Sequence, residues 1–133
     1  ISIFDDTYNA NPDSVRAAIG VVADLPALNG SSRTVVLGMM GELGRFAEEM
    51  HLQIGEHAAR NQLQVISVGI EAARIAEGAR RAGGSVVEHF DRYEDAANWL
   101  KGTLRAGDTV LFKGSRKAAV ERVMNEVFPP TTN

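Results

Sequence analysis

The chain has 133 residues and a mass of 14.3 kDa, with 44% hydrophobic and 23% charged residues. That is the size and balance of one ordinary globular domain, and no apolar run approaches the roughly 20 residues needed to cross a membrane. A net charge of -3 and a pI near 5.6 argue against a nucleic-acid partner, and the absence of cysteine removes disulfides, thiolate metal sites and cysteine nucleophiles. With no signal-peptide pattern at the start, a soluble cytoplasmic protein with no membrane partner is expected.

The first predicted strand is the apolar run Ile1 to Phe4. Because the chain opens in mid-strand, it reads as a piece of something longer. The strand leads into "DDTYNANPDS", residues 5 to 14, in place of a glycine turn. Asn11 as N-cap, Pro12 at the first helical position and Asp13 in the first turn announce a helix. Its apolar stripe is Val15, Ala18, Ile19 and Val22. Capping leaves Asp6, Tyr8 and Asn9 unexplained. A carboxylate at a strand end accepts hydroxyl hydrogen bonds, an aromatic ring offers a flat face to a base, and Asn carries both a donor and an acceptor.

Thr34 to Leu37 forms the second strand, followed by "GMMGELG", residues 38 to 44. Its glycine spacing matches neither the dinucleotide fingerprint nor a phosphate loop. Gly38 and Gly41 are expected to allow tight backbone turns near a ligand, Met39, Met40 and Leu43 to pack, and Glu42 to orient a ligand amine or to stand exposed ahead of the next helix. That helix carries Phe46, Met50, Ile54 and Ala58 at helical spacing. Val65 to Val68 and Val86-Val87 are the third and fourth strands. Helices patterned on Ala72, Ile75, Ala76, Ala79 and on Ala96, Trp99, Leu100, Leu104 follow them.

The fifth strand, Thr109 to Phe112, opens into "KGSRK", residues 113 to 117. Lys113 leaves a strand expected to be central, Gly114 admits close backbone approach, Ser115 is expected to cap a helix, and Arg116 offers a fork to carboxylate or phosphate. The last helix is patterned on Val120, Val123, Met124 and Val127, and the tail from Phe128 is expected to fray. Five strands alternating with five helices predict an α/β fold. The expected form is a Rossmann-like three-layer α/β/α sandwich on a mostly parallel sheet of five to six strands, with residues 1–133 as one domain. Ligands of such sheets gather at the carboxyl ends of the strands.

Two other readings fail on residues. His51, His57 and His89 do not stand at metal spacing, so no metal site is expected, and no serine-histidine-aspartate order is legible. A phosphoryl-accepting receiver domain needs an aspartate at the end of the third strand, where the sequence has Ser67.

Taken together, "DDTYNANPDS", "VVLGMMGELG" with His51 downstream, and "VLFKGSR" resemble the C-terminal domain of the Mur ligases, from residue 3 to 127. The Y-N-A-N-P segment is the specific part, and among family members it points to the ligase that adds D-Ala-D-Ala to UDP-N-acetylmuramoyl-tripeptide. Position 39, acidic in many members, is methionine here. The resemblance implies an ATP-dependent amide ligase in peptidoglycan synthesis. Its Mg²⁺ ligands and phosphate loop would lie in a central domain, its UDP-sugar site in an N-terminal domain, and this fragment alone would be inactive. It also implies roles: Asp6 on the ribose, Tyr8 and Asn9 near the nucleotide, and Lys113, Ser115 and Arg116 facing the dipeptide carboxylate or the reacting phosphate. Glu42 would lie near the dipeptide. A sister ligase, a folylpolyglutamate synthetase-like ligase or a free-standing nucleotide- or peptide-binding module are the alternatives.

Overall fold

The computed structural model describes residues 1–7, 10–26, 30–115 and 118–130. Five strands form one sheet: β1 (Ser2–Asp6), β2 (Arg33–Leu37), β3 (Gln64–Val68), β4 (Val87–Phe90) and β5 (Thr109–Lys113). The order is β1-β5-β2-β3-β4, and every pairing is parallel. The helices are α1 (Pro12–Asp24), α2 (Ala47–Arg60), α3 (Ala73–Arg81), α4 (Tyr93–Thr103) and α5 (Val120–Val127).

The layers follow from alternation along the strands. Val35, Leu37, Val65 and Leu111 point to one face, where Val15, Ile19 and Val22 of α1, Ile54 and Ala58 of α2, and Ile75 and Ala79 of α3 cover them. Val36, Ile66, Val68, Val110 and Phe112 point to the other, under Ala96, Ala97 and Leu100 of α4 and Val120 and Val123 of α5. This is the expected three-layer sandwich. Helices α2 and α3 touch so closely that a Cβ on Gly55 would stand 1.8 Å from the Ile75 carbonyl oxygen, and one on Gly78 2.0 Å from that of Leu52.

Several expectations need correcting. Strand β1 continues through Asp5 and Asp6, because pairing with β5 holds two acids in extended form that local preference disfavours. The fourth strand lies later than Val86-Val87, continuing through Glu88, His89 and Phe90. The first and fourth strands, β1 and β4, are the sheet edges, and most of β1 is exposed. Phe46 stays 53% exposed, with the Arg45 guanidinium over its ring. Phe128 does not fray, since it packs edge-on against Phe112 with ring centroids 6.3 Å apart.

The amino end of the sheet is closed by one buried carboxylate. Asp108, in the turn before β5, accepts N–H bonds from Ser32 at 2.8 Å and Arg105 at 2.9 Å. Its own carbonyl accepts the Ser2 N–H at 2.9 Å. Burial pushes the Asp108 carboxyl up, but those N–H donors, with the Ser32 hydroxyl and the Arg105 charge, outweigh it and hold the group below its ordinary 3.8.

Candidate functional site

At the carboxyl end, cross-strand register aligns one residue from each strand: Asp6, Lys113, Leu37, Ser67 and His89. Two residues earlier the same face reads Phe4, Leu111, Val35, Val65 and Val87. An apolar row therefore gives way to a largely polar one at the end where parallel sheets bind ligands. Helix α1 leaves β1 toward one face and α5 leaves β5 toward the other, so the crevices flanking β5 open there.

The two acids after Phe4 have separate uses. Asp5 Oδ1 accepts the Thr7 N–H at 3.2 Å and the Thr7 hydroxyl at 2.9 Å, bending the chain out of β1. Asp6 Oδ2 accepts a 2.6 Å hydrogen bond from Lys113 Nζ. The Lys113 side chain is 1% exposed and that of Asp6 49%. Lys113 therefore does not snorkel to solvent. A carboxylate at the surface neutralises its charge, offsetting the desolvation of the ammonium. Asp6 also stands on the rim of an open recess of about 250 Å³ between β1 and α1, walled by Phe4, Val21, Val22 and Leu111. Asn11 caps α1 as expected, through a reciprocal capping box with Ser14 that the sequence reading missed.

The loops after β2 and β5 are tied together. Gly38 N–H donates to the Lys113 carbonyl at 3.0 Å, and Ser115 N–H to the Met39 carbonyl at 2.9 Å. A Cβ on Gly38 would come within 2.4 Å of Ala118 and one on Gly114 within 2.8 Å of Val120, so these glycines let segment 118–120 lie across the strand ends. Gly38 thus serves close chain packing instead of a turn. Ser115 does not cap the last helix: α5 begins at Val120 after Ala119 in the left-handed conformation, with no side-chain cap. The Ser115 carbonyl accepts the Ala118 N–H instead, and its Oγ is buried without a hydrogen-bond partner. Glu42 is exposed and left-handed, with φ of 62°.

His51 is buried and clamps the glycine-rich loop. Its Nε2 accepts the Met40 N–H at 2.9 Å, and its Nδ1 contacts the Ala47 carbonyl. Those partners call for the neutral tautomer with hydrogen on Nδ1. Nothing in the local sequence signalled this bond. The end of β4 holds another surprise: Ser67 Oγ lies 2.7 Å from His89 Nδ1, and His89 Nε2 lies 2.8 Å from Asp91 Oδ1. Because Ser67 is fully buried and meets Nδ1, the trio fastens an edge strand and offers no nucleophile to a substrate.

Of the residues singled out in the sequence, the structure joins Asp6 to Lys113 and sets Ser115 on the adjoining strand exit. Tyr8, Asn9 and Arg116 lie outside the described residues. Among the described residues no three metal-ligating side chains converge, and no helix is long and apolar enough to cross a membrane.

Comparison with known proteins supplies the family. The family described as "Mur ligase, glutamate ligase domain" matches residues 1–116. The UDP-N-acetylmuramoyl-tripeptide--D-alanyl-D-alanine ligase of Treponema pallidum is 38% identical over 89% of this chain, and that of Escherichia coli 37% over 92%. The chain spans 26% of the length of each. Among solved structures, the MurF ligase of Thermotoga maritima in complex with ADP superposes with a TM-score of 0.77 and 31% identity, covering 94% of this chain and 27% of that one.

Proposed function

The chain belongs to the Mur ligase glutamate ligase domain family, and on that premise we propose that it is the C-terminal domain of a three-domain, ATP-dependent amide ligase. Residues 1–133 form that domain; the N-terminal and central domains lie elsewhere in the longer protein. The whole enzyme joins D-Ala-D-Ala to UDP-N-acetylmuramoyl-tripeptide in the cytoplasm, as a step of peptidoglycan precursor synthesis. One observation carries the reading: the Asp6–Lys113 charged pair stands beside the hydrogen-bonded exits of β2 and β5 at the carboxyl end of the sheet. The names of the relatives, matched along about nine-tenths of the chain, support the same choice of substrates.

A carboxylate is too poor an electrophile to meet an amine at neutral pH. The terminal carboxylate of the tripeptide therefore attacks the γ-phosphorus of ATP, and ADP leaves. The D-Ala-D-Ala amine then attacks the acyl carbon, phosphate departs with the C–O bonding pair, and the amine loses its proton. Mg²⁺ supplies charge neutralisation at the phosphates when bound. As the resemblance to the Mur ligases implies, we assign its ligands to the central domain.

This domain contributes one wall. Asp6 accepts the ribose hydroxyls, with Tyr8 and Asn9 beside the nucleotide. Ser115 and Arg116 take the dipeptide carboxylate or the transferring phosphate, with Glu42 on the neighbouring loop. Closure onto the central domain brings amine and acyl phosphate together and excludes water. Phosphate release should be followed with ATP, Mg²⁺, UDP-linked tripeptide and D-Ala-D-Ala. Turnover is expected from the full-length protein, dependent on the dipeptide, and none from residues 1–133 alone. Full-length protein that turns over only with a single amino acid would overturn the dipeptide assignment.

A further inference from the structure

We propose that Lys113 is a positioning residue for the nucleotide: it fixes the Asp6 carboxylate for ligand hydroxyls and does not itself meet the dipeptide. This rests on the assignment of Asp6 to the ribose made above. Three observations carry it.

The Lys113 side chain is 1% exposed, so a ligand has no surface of it to touch in this domain. Its ammonium already donates to Asp6 Oδ2 at 2.6 Å. An incoming carboxylate seeking Nζ must first uncover a buried side chain and then sit against the Asp6 carboxylate, a like-charge contact that works against binding.

Hydroxyl ligands face no such conflict. Asp6 is 49% exposed, and among the described residues its second oxygen, Oδ1, has no hydrogen-bond partner. A hydroxyl donates to that oxygen while Lys113 keeps the other, so ligand and lysine share one carboxylate without competing. The backbone beneath is fixed as well, because Asp6 and Lys113 are register partners on β1 and β5. The lysine removes the remaining freedom, rotation of the carboxylate, before the ligand arrives.

The test uses the full-length ligase, measuring KM for ATP and for D-Ala-D-Ala separately. Lys113→Met is expected to raise KM for ATP about 3- to 10-fold, as loss of one pre-ordered polar side chain implies, and to leave KM for D-Ala-D-Ala nearly unchanged. Lys113→Gln, which keeps a donor for Oδ2, should recover part of the loss. In an Asp6→Asn background, Lys113→Met should add little, because both changes act on one carboxylate. A rise in KM for D-Ala-D-Ala with ATP unaffected, or effects that multiply in the double variant, would overturn the proposal.

If the parent protein turns over none of these substrates, the proposed reaction fails. The Lys113 inference is then read from ADP affinity by calorimetry, where Lys113→Met must still weaken binding. Should the substitutions at Lys113 not fold, a crystal structure of the wild-type enzyme with nucleotide and dipeptide decides. Nζ on Asp6 with Oδ1 on the ribose supports the inference; Nζ on the dipeptide carboxylate overturns it.

Discussion

Strand β5 carries a buried charge at each end, and the two are treated in opposite ways. At its entrance, Asp108 is 5% exposed and spends its carboxylate on the backbone N–H groups of Ser32 and Arg105. At its exit, Lys113 is as deeply buried but ends on Asp6, a carboxylate half in water. The first arrangement turns inward and locks the start of β5 to the segment before β2. The second carries charge to the rim and leaves an acceptor there. The contrast separates a charge turned wholly into the fold from one whose partner is open at the rim, where we propose the ligand binds, although burial alone would class them together.

The comparison is broken most forcefully at the scaffold. Gly55→Ala places a methyl group against the Ile75 carbonyl and is expected to cost about 2–3 kcal/mol, read by chemical denaturation. Because the contact lies between α2 and α3, away from the strand exits, ATP affinity of the full-length enzyme should survive wherever the variant folds. Asp108→Ala strands two N–H donors and is expected to cost about 2 kcal/mol. Its folded pKa lies below the ordinary 3.8. The stability it contributes is thus present above that value and lost as pH falls through the folded pKa. Acid denaturation of Asp108→Ala should accordingly show a flatter limb below pH about 4.

Substitution of His51 probes the border between the two regions. His51→Leu removes the acceptor for the Met40 N–H and should cost about 1–2 kcal/mol. Amide exchange should quicken at Met40 before it quickens in β3. The smallest effect is expected at His57, on the outer side of α2. Burial and the neighbouring Arg16 charge lower its pKa from 6.5. The folded state then binds the proton less readily than the unfolded one, so stability is lost as pH falls from 6.5 through the folded pKa. His57→Gln should erase that dependence, worth only tenths of a kcal/mol at a partly exposed position.

Much of the scaffold was legible because its signals are local and periodic. Valine-rich runs mark the inner strands, three-four spacing marks the helices, and Asn11-Pro12 marks the start of α1. The errors fall where pairing overrides local preference: Asp5 and Asp6 drawn into β1, and Glu88 to Phe90 into β4. At the candidate site, local signals singled out Asp6 and Lys113 one by one but not the bond between them. Asp6 and Lys113 stand 107 positions apart, and only the order β1-β5 brings them together. Ser115 looked like a helix cap because serine often is one. The segment through Ala118 and Ala119 instead delays α5 until Val120, a delay permitted by the bare backbone of Gly38 and Gly114.

The central claim is that function sits at the exit of β5 and stability at its entrance. It is tested most directly by measuring ATP KM and melting temperature together for Asp6→Ala and Asp108→Ala in the full-length enzyme. The account predicts that Asp6→Ala raises KM for ATP several-fold and, because it strips the buried Lys113 ammonium of its carboxylate, also lowers Tm, while Asp108→Ala lowers Tm by several degrees and leaves KM unchanged. An Asp6→Ala enzyme that melts early yet binds ATP normally would contradict it.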